Sequence, residues 1–229
     1  MVYLIRHGQT AWNQDGMFRG QKDISLNAEG LRQAELTGAY LKNGNIETIY
    51  TSPLKRSVQT ASVIAQYTGS SVVVVDTLKD IDFGEWEGKT AKQVAAQYNK
   101  GYRTYRLHPE LAAFPRGETL NQCFERIMKT LHQIFQQASH QGTHDSVKRI
   151  AGHTGDEIMQ LPDIAIVSHR VILKLIVLGL LGLSTASFWK VQLDTCSITE
   201  VLIGEEGFIL RQLNNDSHLK ELGKRRVDF

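Results

Sequence analysis

Four short runs, VYLI (2–5), TIYT (48–51), VVVV (72–75) and IAIV (164–167), are apolar or β-branched with little polar alternation. A strand reads this way when both of its faces are covered, because neither alternate set of side chains then meets water. Helical spacing fills the intervals. Leu31, Ala34, Leu36 and Leu41 follow Asn27; Ala61, Val63, Ile64 and Tyr67 run up to Gly69; Leu120, Phe124, Ile127, Leu131, Ile134 and Phe135 recur between Thr119 and Ala138. Strands alternating with helices predict an α/β fold in three layers, α/β/α, with a mostly parallel central sheet and helices on both faces. The late runs SITEVLI and FILRQL, joined by GEEG, predict a hairpin, which makes the sheet mixed.

With only four prolines and no low-complexity run, the chain reads as one unit over 1–229. Roughly 79–163 has helical patterns but no strand of its own. It carries Trp86, Tyr102, Arg103, Tyr105 and Arg106, and is expected to form a helical cap inserted over one edge of the sheet. Within it, 139–160 has no assignable pattern and is expected to be loop with one short helix. VILKLIVLGLLGL (171–183) is too short to span a bilayer and is expected to be a core helix.

Twenty-six basic residues against 24 acidic give a net charge of +2, which disfavours nucleic acid and anionic membrane as partners. The start has no apolar segment after a basic flank, so a cytoplasmic location is expected. Cys123 and Cys196 lack metal-binding spacing and read as packing residues in a reducing compartment.

In an open α/β sheet, ligands bind beyond the carboxyl ends of the strands. There the first run delivers Arg6 and His7, the second leads to Arg56, and the fourth to His169. Taken singly, a His or Arg at a strand end is more often structural. Together they would repel one another unless an anion sits between them, and a phosphate suits the paired donors of Arg. Gly8 would let the backbone approach that anion, and Asn13 would add an amide donor. The unprotonated nitrogen of a histidine held there can attack phosphorus, without an obligatory metal or other cofactor. An acid must then protonate the leaving oxygen, and LKDIDFGEWEG offers Asp80, Asp82, Glu85 and Glu87.

These residues carry a resemblance. LIRHGQTAWN resembles the R-H-G-[EQ]-[ST]-x-x-N signature of the histidine phosphatase superfamily, the phosphoglycerate mutase-like proteins. GQKDISLNAEGLRQA, YTSPLKRSVQTA and VSH are similar to its later segments in the same order, over nearly the whole chain. The resemblance implies that His7 is the nucleophile, and that Arg6, Arg56 and His169 hold the phosphoryl group with Asn13 assisting. Gln21 and Arg170 complete the expected phosphate-binding set. Where the family has Glu this chain has Asp80, the expected general acid, one methylene shorter; Asp82 and Glu85 stand behind it. Arg170 stands where the family often has a small residue. Either it points away from the site and offers only its backbone amide, or it adds a positive contact for an anionic substrate.

The chain lacks the E-R-H-Y-G-x-L-x-G segment of the mutases, and FPRGETLNQCFERI and NNDSHL look like the phosphatase branch. The expectation is a metal-independent phosphoric monoester hydrolase of histidine acid phosphatase type, acting on a small phosphorylated metabolite, with a homodimer as the expected assembly. The alternatives are a cofactor-dependent phosphoglycerate mutase and a catalytically weak phosphate-binding module. Arg103, Arg106 and Arg116 leave room for a carboxylate-bearing substrate.

Overall fold

The computed structural model describes residues 1–141, 161–204 and 207–223. Six strands form one sheet: β1 (Val2–Arg6), β2 (Ile46–Thr51), β3 (Ser71–Val74), β4 (Asp163–Ser168), β5 (Ile198–Gly204) and β6 (Gly207–Asn215), in the order β3-β2-β4-β1-β5-β6. The first four neighbours in that order pair in parallel, whereas β5 joins β1 and β6 joins β5 antiparallel. The sheet is therefore mixed, with the late hairpin supplying its antiparallel edge.

Both faces are covered, which is why the strands read as continuous apolar runs. On one face Ile5, Ile49, Ala165 and Val167 form a core with Leu41, Ala61 and Ile64 from α2 (Ala28–Leu41) and α3 (Lys55–Thr68), α1 being the single turn Ala11–Gln14 in the loop after β1. On the other, Val2, Leu4, Ile164 and Ile166 pack with α6 (Leu120–Gln141) and α7 (Arg170–Leu180). Residues adjacent in β1 and β4 thus go to opposite layers, as a period of two requires. Asn27 caps α2 by accepting from the Gly30 N–H at 2.8 Å, and Gly69, at φ 72°, closes α3 in the left-handed conformation that Gly adopts without steric cost.

The expectation for VVVV fails in one respect. β3 is an edge strand, and Val72 and Val74 stand 37% and 54% exposed, so this run is not covered on both faces. Apolar content alone does not separate a central from an edge strand, because β-branched residues favour the extended backbone in either place.

Of the 79–163 segment, the part before α6 contains two short helices, α4 (Ala91–Gln97) and α5 (Asn99–Leu107), and several 3-10 turns. Phe83, Trp86, Tyr105 and Phe114 meet Phe18, from the loop after β1, in a mostly edge-to-face cluster with centroids 4.8–6.4 Å apart. α6 instead lies against α7 on the sheet face. Most of the 139–160 stretch lies outside the described residues. The 171–183 run forms most of α7, whose Val171–Leu178 are all buried, and no described helix is long and apolar enough to cross a membrane. Cys123 and Cys196 are buried free thiols.

Candidate active site

The carboxyl ends of β1, β2 and β4 meet as expected. His7 follows β1, with its backbone N–H on the Ser168 carbonyl at 2.9 Å; Ser52 follows β2; His169 follows β4 and is the N-cap of α7. The His7 and His169 rings lie 5.3 Å apart, and both residues are buried.

The two rings meet different hydrogen-bond partners. His7 Nδ1 lies 2.7 Å from the Gly8 carbonyl, which can only accept, so Nδ1 holds the proton and Nε2 keeps its lone pair. Ser52 Oγ accepts from the Leu54 N–H at 3.3 Å and lies 2.8 Å from His169 Nε2. His169 Nδ1 is buried with no hydrogen-bond partner, 3.9 Å from Asp80 Oδ2. Burial, and then the Arg56 charge, holds both well below the ordinary histidine value of 6.5, so both rings are neutral at neutral pH.

Arg6 donates from Nη1 to the Leu193 carbonyl at 2.8 Å. Arg56 is buried, with Nη1 and Nη2 on the Lys22 and Gly20 carbonyls at 2.7 and 2.8 Å. Its second Nη2 contact, Asp80 Oδ2 at 3.5 Å, is too long to be a strong hydrogen bond. Burial pulls the Arg56 guanidinium down to about 10, against the opposing effect of Asp80. The Asp80 carboxyl moves up: burial outweighs Arg56, Arg19 and the Ile81 N–H that it accepts at 3.0 Å. A carboxyl whose burial favours the protonated form beside guanidiniums suits an acid more than an ion-pair partner.

The rival carboxylates are occupied elsewhere. Asp82 Oδ1 accepts from the Gly84 N–H at 2.8 Å; Glu85 accepts from Tyr98 Oη at 2.9 Å and lies 3.3 Å from Arg116 Nε; Glu87 accepts from the Gln21 N–H at 2.8 Å. Among the described residues, Asp80 is the carboxylate that lies against Arg56 and His169. Gln21 comes to it from the side, Nε2 donating to the Asp80 carbonyl at 3.3 Å. The Asn13 carboxamide oxygen accepts from the Thr10 N–H and hydroxyl at 2.9 and 2.8 Å, which fixes the amide plane. Arg170 lines a pocket with Asp80, Arg19, Phe18, Phe83 and Val171, and its charge acts on Asp80. Arg106 stacks on Trp189 at 4.4 Å, and Arg116 is exposed on Glu85.

Gly8 departs from its expected use. Its N–H donates to Thr60 Oγ1 at 3.0 Å and is committed there. A Cβ on Gly8 would lie 2.5 Å from the Gly30 carbonyl oxygen, and one on Gly30 would lie 2.1 Å from the Gln9 carbonyl oxygen. The glycine lets the loop after His7 touch the first turn of α2, backbone on backbone.

Four contributors escape a reading of the sequence. Arg19 is buried and its charge acts on His7, His169, Asp80 and Arg56. Ser52 Oγ lies 2.8 Å from His169 Nε2. Ser168 Oγ donates to the Leu78 carbonyl at 2.9 Å, and Arg126 on α6 donates to the Thr77 and Lys79 carbonyls at 2.6 and 3.1 Å; together they hold the turn that carries Asp80. Ser52 and Ser168 stand inside TSP and VSH and were findable there. Arg19 and Arg126 have no local signal. Among the described residues, no group of three or more His, Cys, Asp or Glu side chains is arranged to hold a metal ion.

Comparison with known proteins points the same way. The chain is 28% identical over 220 residues to phosphoserine phosphatase 1 of Hydrogenobacter thermophilus, covering 96% of this chain and 94% of the relative. It is 26% identical over 228 residues to the probable phosphoglycerate mutase GpmB of Erwinia tasmaniensis, covering 96% and 95%. Among solved structures it is similar to a His-to-Ala mutant of the phosphoserine phosphatase of Entamoeba histolytica in complex with phosphoserine, at 28% identity and a TM-score of 0.77, covering 95% and 98%. With a match to the family description "Histidine phosphatase superfamily (branch 1)" over residues 2–216, the chain belongs to the histidine phosphatase superfamily.

Proposed function

We propose that the protein is a metal-independent phosphatase that hydrolyses small phosphomonoesters through a phosphohistidine on His7, with Asp80 as general acid. In this reading Arg6, Arg56 and His169 grip the phosphoryl oxygens, Asn13 and Gln21 assist, and Arg170 faces the remainder of the substrate. Nε2 of His7 attacks phosphorus while the P–O bond to the substrate breaks, and the departing oxygen takes its electron pair and the Asp80 proton. Asp80, now a carboxylate, then accepts a proton from water as that water attacks the phosphorus and breaks the N–P bond. Phosphate leaves with His7 neutral and Asp80 protonated, as both began. The observation that carries the reading is the His7 tautomer: a lone pair at Nε2, held by the Gly8 carbonyl and surrounded by the charges of Arg6, Arg19 and Arg56. As an assembly, 1–229 reads as one catalytic unit in which roughly 79–163 caps the site and a homodimer forms.

Mixing enzyme with substrate, quenching in base and mapping the label by mass spectrometry tests the reading. Phosphohistidine should appear at His7 and vanish in His7→Ala. Ordinary hydrolysis of p-nitrophenyl phosphate by that variant would sink the mechanism, as would loss of wild-type activity to a chelator. Tight phosphate binding without labelling would make the chain a binding module. The relatives named as probable phosphoglycerate mutases favour a second reading, in which a second phosphate acceptor replaces water. Incubation with 3-phosphoglycerate, with and without 2,3-bisphosphoglycerate, separates the two: free phosphate supports hydrolysis, and isomerised product supports mutase action.

A further inference from the structure

The guanidinium of Arg6 leans on a peptide bond that is itself held from the other side. Arg6 Nη1 donates to the Leu193 carbonyl at 2.8 Å, and the other half of the same peptide group, the Asp194 N–H, donates to Asn214 Oδ1 at 2.7 Å. A trans peptide is planar, with its C=O and N–H pointing in opposite directions, so fixing one fixes the other. Asn214 completes a clasp by donating from Nδ2 to Asp194 Oδ2 at 2.8 Å, and its own N–H is held by Thr199 Oγ1 at 3.1 Å. Asn214 sits at φ 55°, a left-handed conformation that Asn tolerates better than most residues and that lets the end of β6 turn its carboxamide toward the loop.

We infer that Asn214, on the far hairpin of the sheet, is a positioning residue for phosphate binding: its carboxamide orients the 193–194 peptide so that the Leu193 carbonyl aims Arg6 at the phosphoryl site. The inference rests on the reading of Arg6 as a phosphate ligand. Without the Asn214 acceptor, the Asp194 N–H has no partner in this arrangement. The peptide can then rotate toward water and withdraw the carbonyl from Arg6. Arg6 keeps its charge and its place at the end of β1 but loses its aim, and misplacement by about 1 Å is enough to cost binding and rate.

Inorganic phosphate binding to the full chain, measured by calorimetry, tests this. Asn214→Gly keeps the left-handed backbone and removes both clasp bonds; the dissociation constant for phosphate should rise about tenfold, the order expected when a supporting hydrogen bond is lost. Asn214→Asp alone sets two carboxylates against each other and should do at least as much harm. Combining it with Asp194→Asn exchanges the donor and acceptor roles and should restore affinity to within about threefold, a rescue that a variant lost to misfolding cannot show. In an Arg6→Gln background, Asn214→Gly should add nothing further. A lower melting temperature with unchanged phosphate affinity would overturn the inference, as would no rescue by the exchanged pair. If Arg6→Gln by itself leaves phosphate affinity intact, the reading of the site fails first, and the positioning role fails with it.

Discussion

Two buried regions lie side by side, and they obey opposite rules. At the strand ends, His7, His169, Arg6, Arg56 and Asp80 are all buried, yet the Asp80 contacts to Arg56 and His169 are long, at 3.5 and 3.9 Å, and His169 Nδ1 has no partner. Next to them, Trp86 and its neighbours are buried as rings packed edge to face, and Trp189 Nε1 donates to the Tyr105 carbonyl at 2.7 Å. Even there Trp86 Nε1 and Tyr105 Oη go unpaired, but the apolar area outweighs them. The cluster gains from being dry. The strand ends lose by it, because burying cationic and titratable groups costs free energy that an anion is needed to recover. Stability resides in the ring cluster and the proposed reactivity at the strand ends, which matches the view that polar groups left poorly satisfied gather where a ligand completes them.

Substitutions can break that contrast. The largest expected effect is on chemistry. Asp80→Asn should slow hydrolysis of alkyl phosphates by about 10²- to 10⁴-fold and of p-nitrophenyl phosphate far less, because that leaving group hardly needs a proton. Equal slowing of both esters would remove Asp80 from the acid role. On the packed side, Trp86→Ala should cost about 3–5 kcal/mol of unfolding free energy in a denaturant titration, while the molecules that remain folded still form phosphohistidine. A loss under about 1 kcal/mol would mean the ring cluster is not what anchors the cap.

The smallest effect concerns pH. His7 and His169 are depressed in the fold, so the unfolded chain binds more protons than the native one below about 6.5. Their contribution is present above the unfolded value and is lost as pH falls toward the folded values. Each histidine adds a slope of at most about 1.4 kcal/mol per pH unit in that window. Denaturant titrations between pH 7 and 5 should show the loss, and saturating phosphate should flatten it, because a bound dianion favours imidazolium. An identical slope with and without phosphate would separate the histidines from the anion site.

Much of this was legible in the sequence, for a physical reason. Strands buried on both faces leave no polar residues to blur them, so β1, β2 and β4 read directly, and the parallel order put their carboxyl ends together with His7, Arg56 and His169. What escaped was whatever depends on distant pairing. VVVV does not show that β3 lacks a neighbour, because edge position is a property of topology rather than composition. Arg19 sits in a loop of unremarkable spacing, and Arg126 looks like the polar side of an amphipathic helix until the turn carrying Asp80 lands on it. Among four acidic residues within eight positions, pattern alone left the acid open and the resemblance named Asp80; that Asp80 is the one buried against Arg56 could not be read there.

The backbone contact between Gly8 and Gly30 has a consequence for how this chain can vary. Neither position can gain even a methyl group without displacing a main-chain carbonyl, and repair at one cannot relieve the other, since each would collide with a different oxygen. In a saturation library covering 8 and 30, the permitted alphabet at both sites shrinks to a single letter. The tolerated diversity has to come from the segment before α6 and the outer strands, where altered side chains leave His7 where it is.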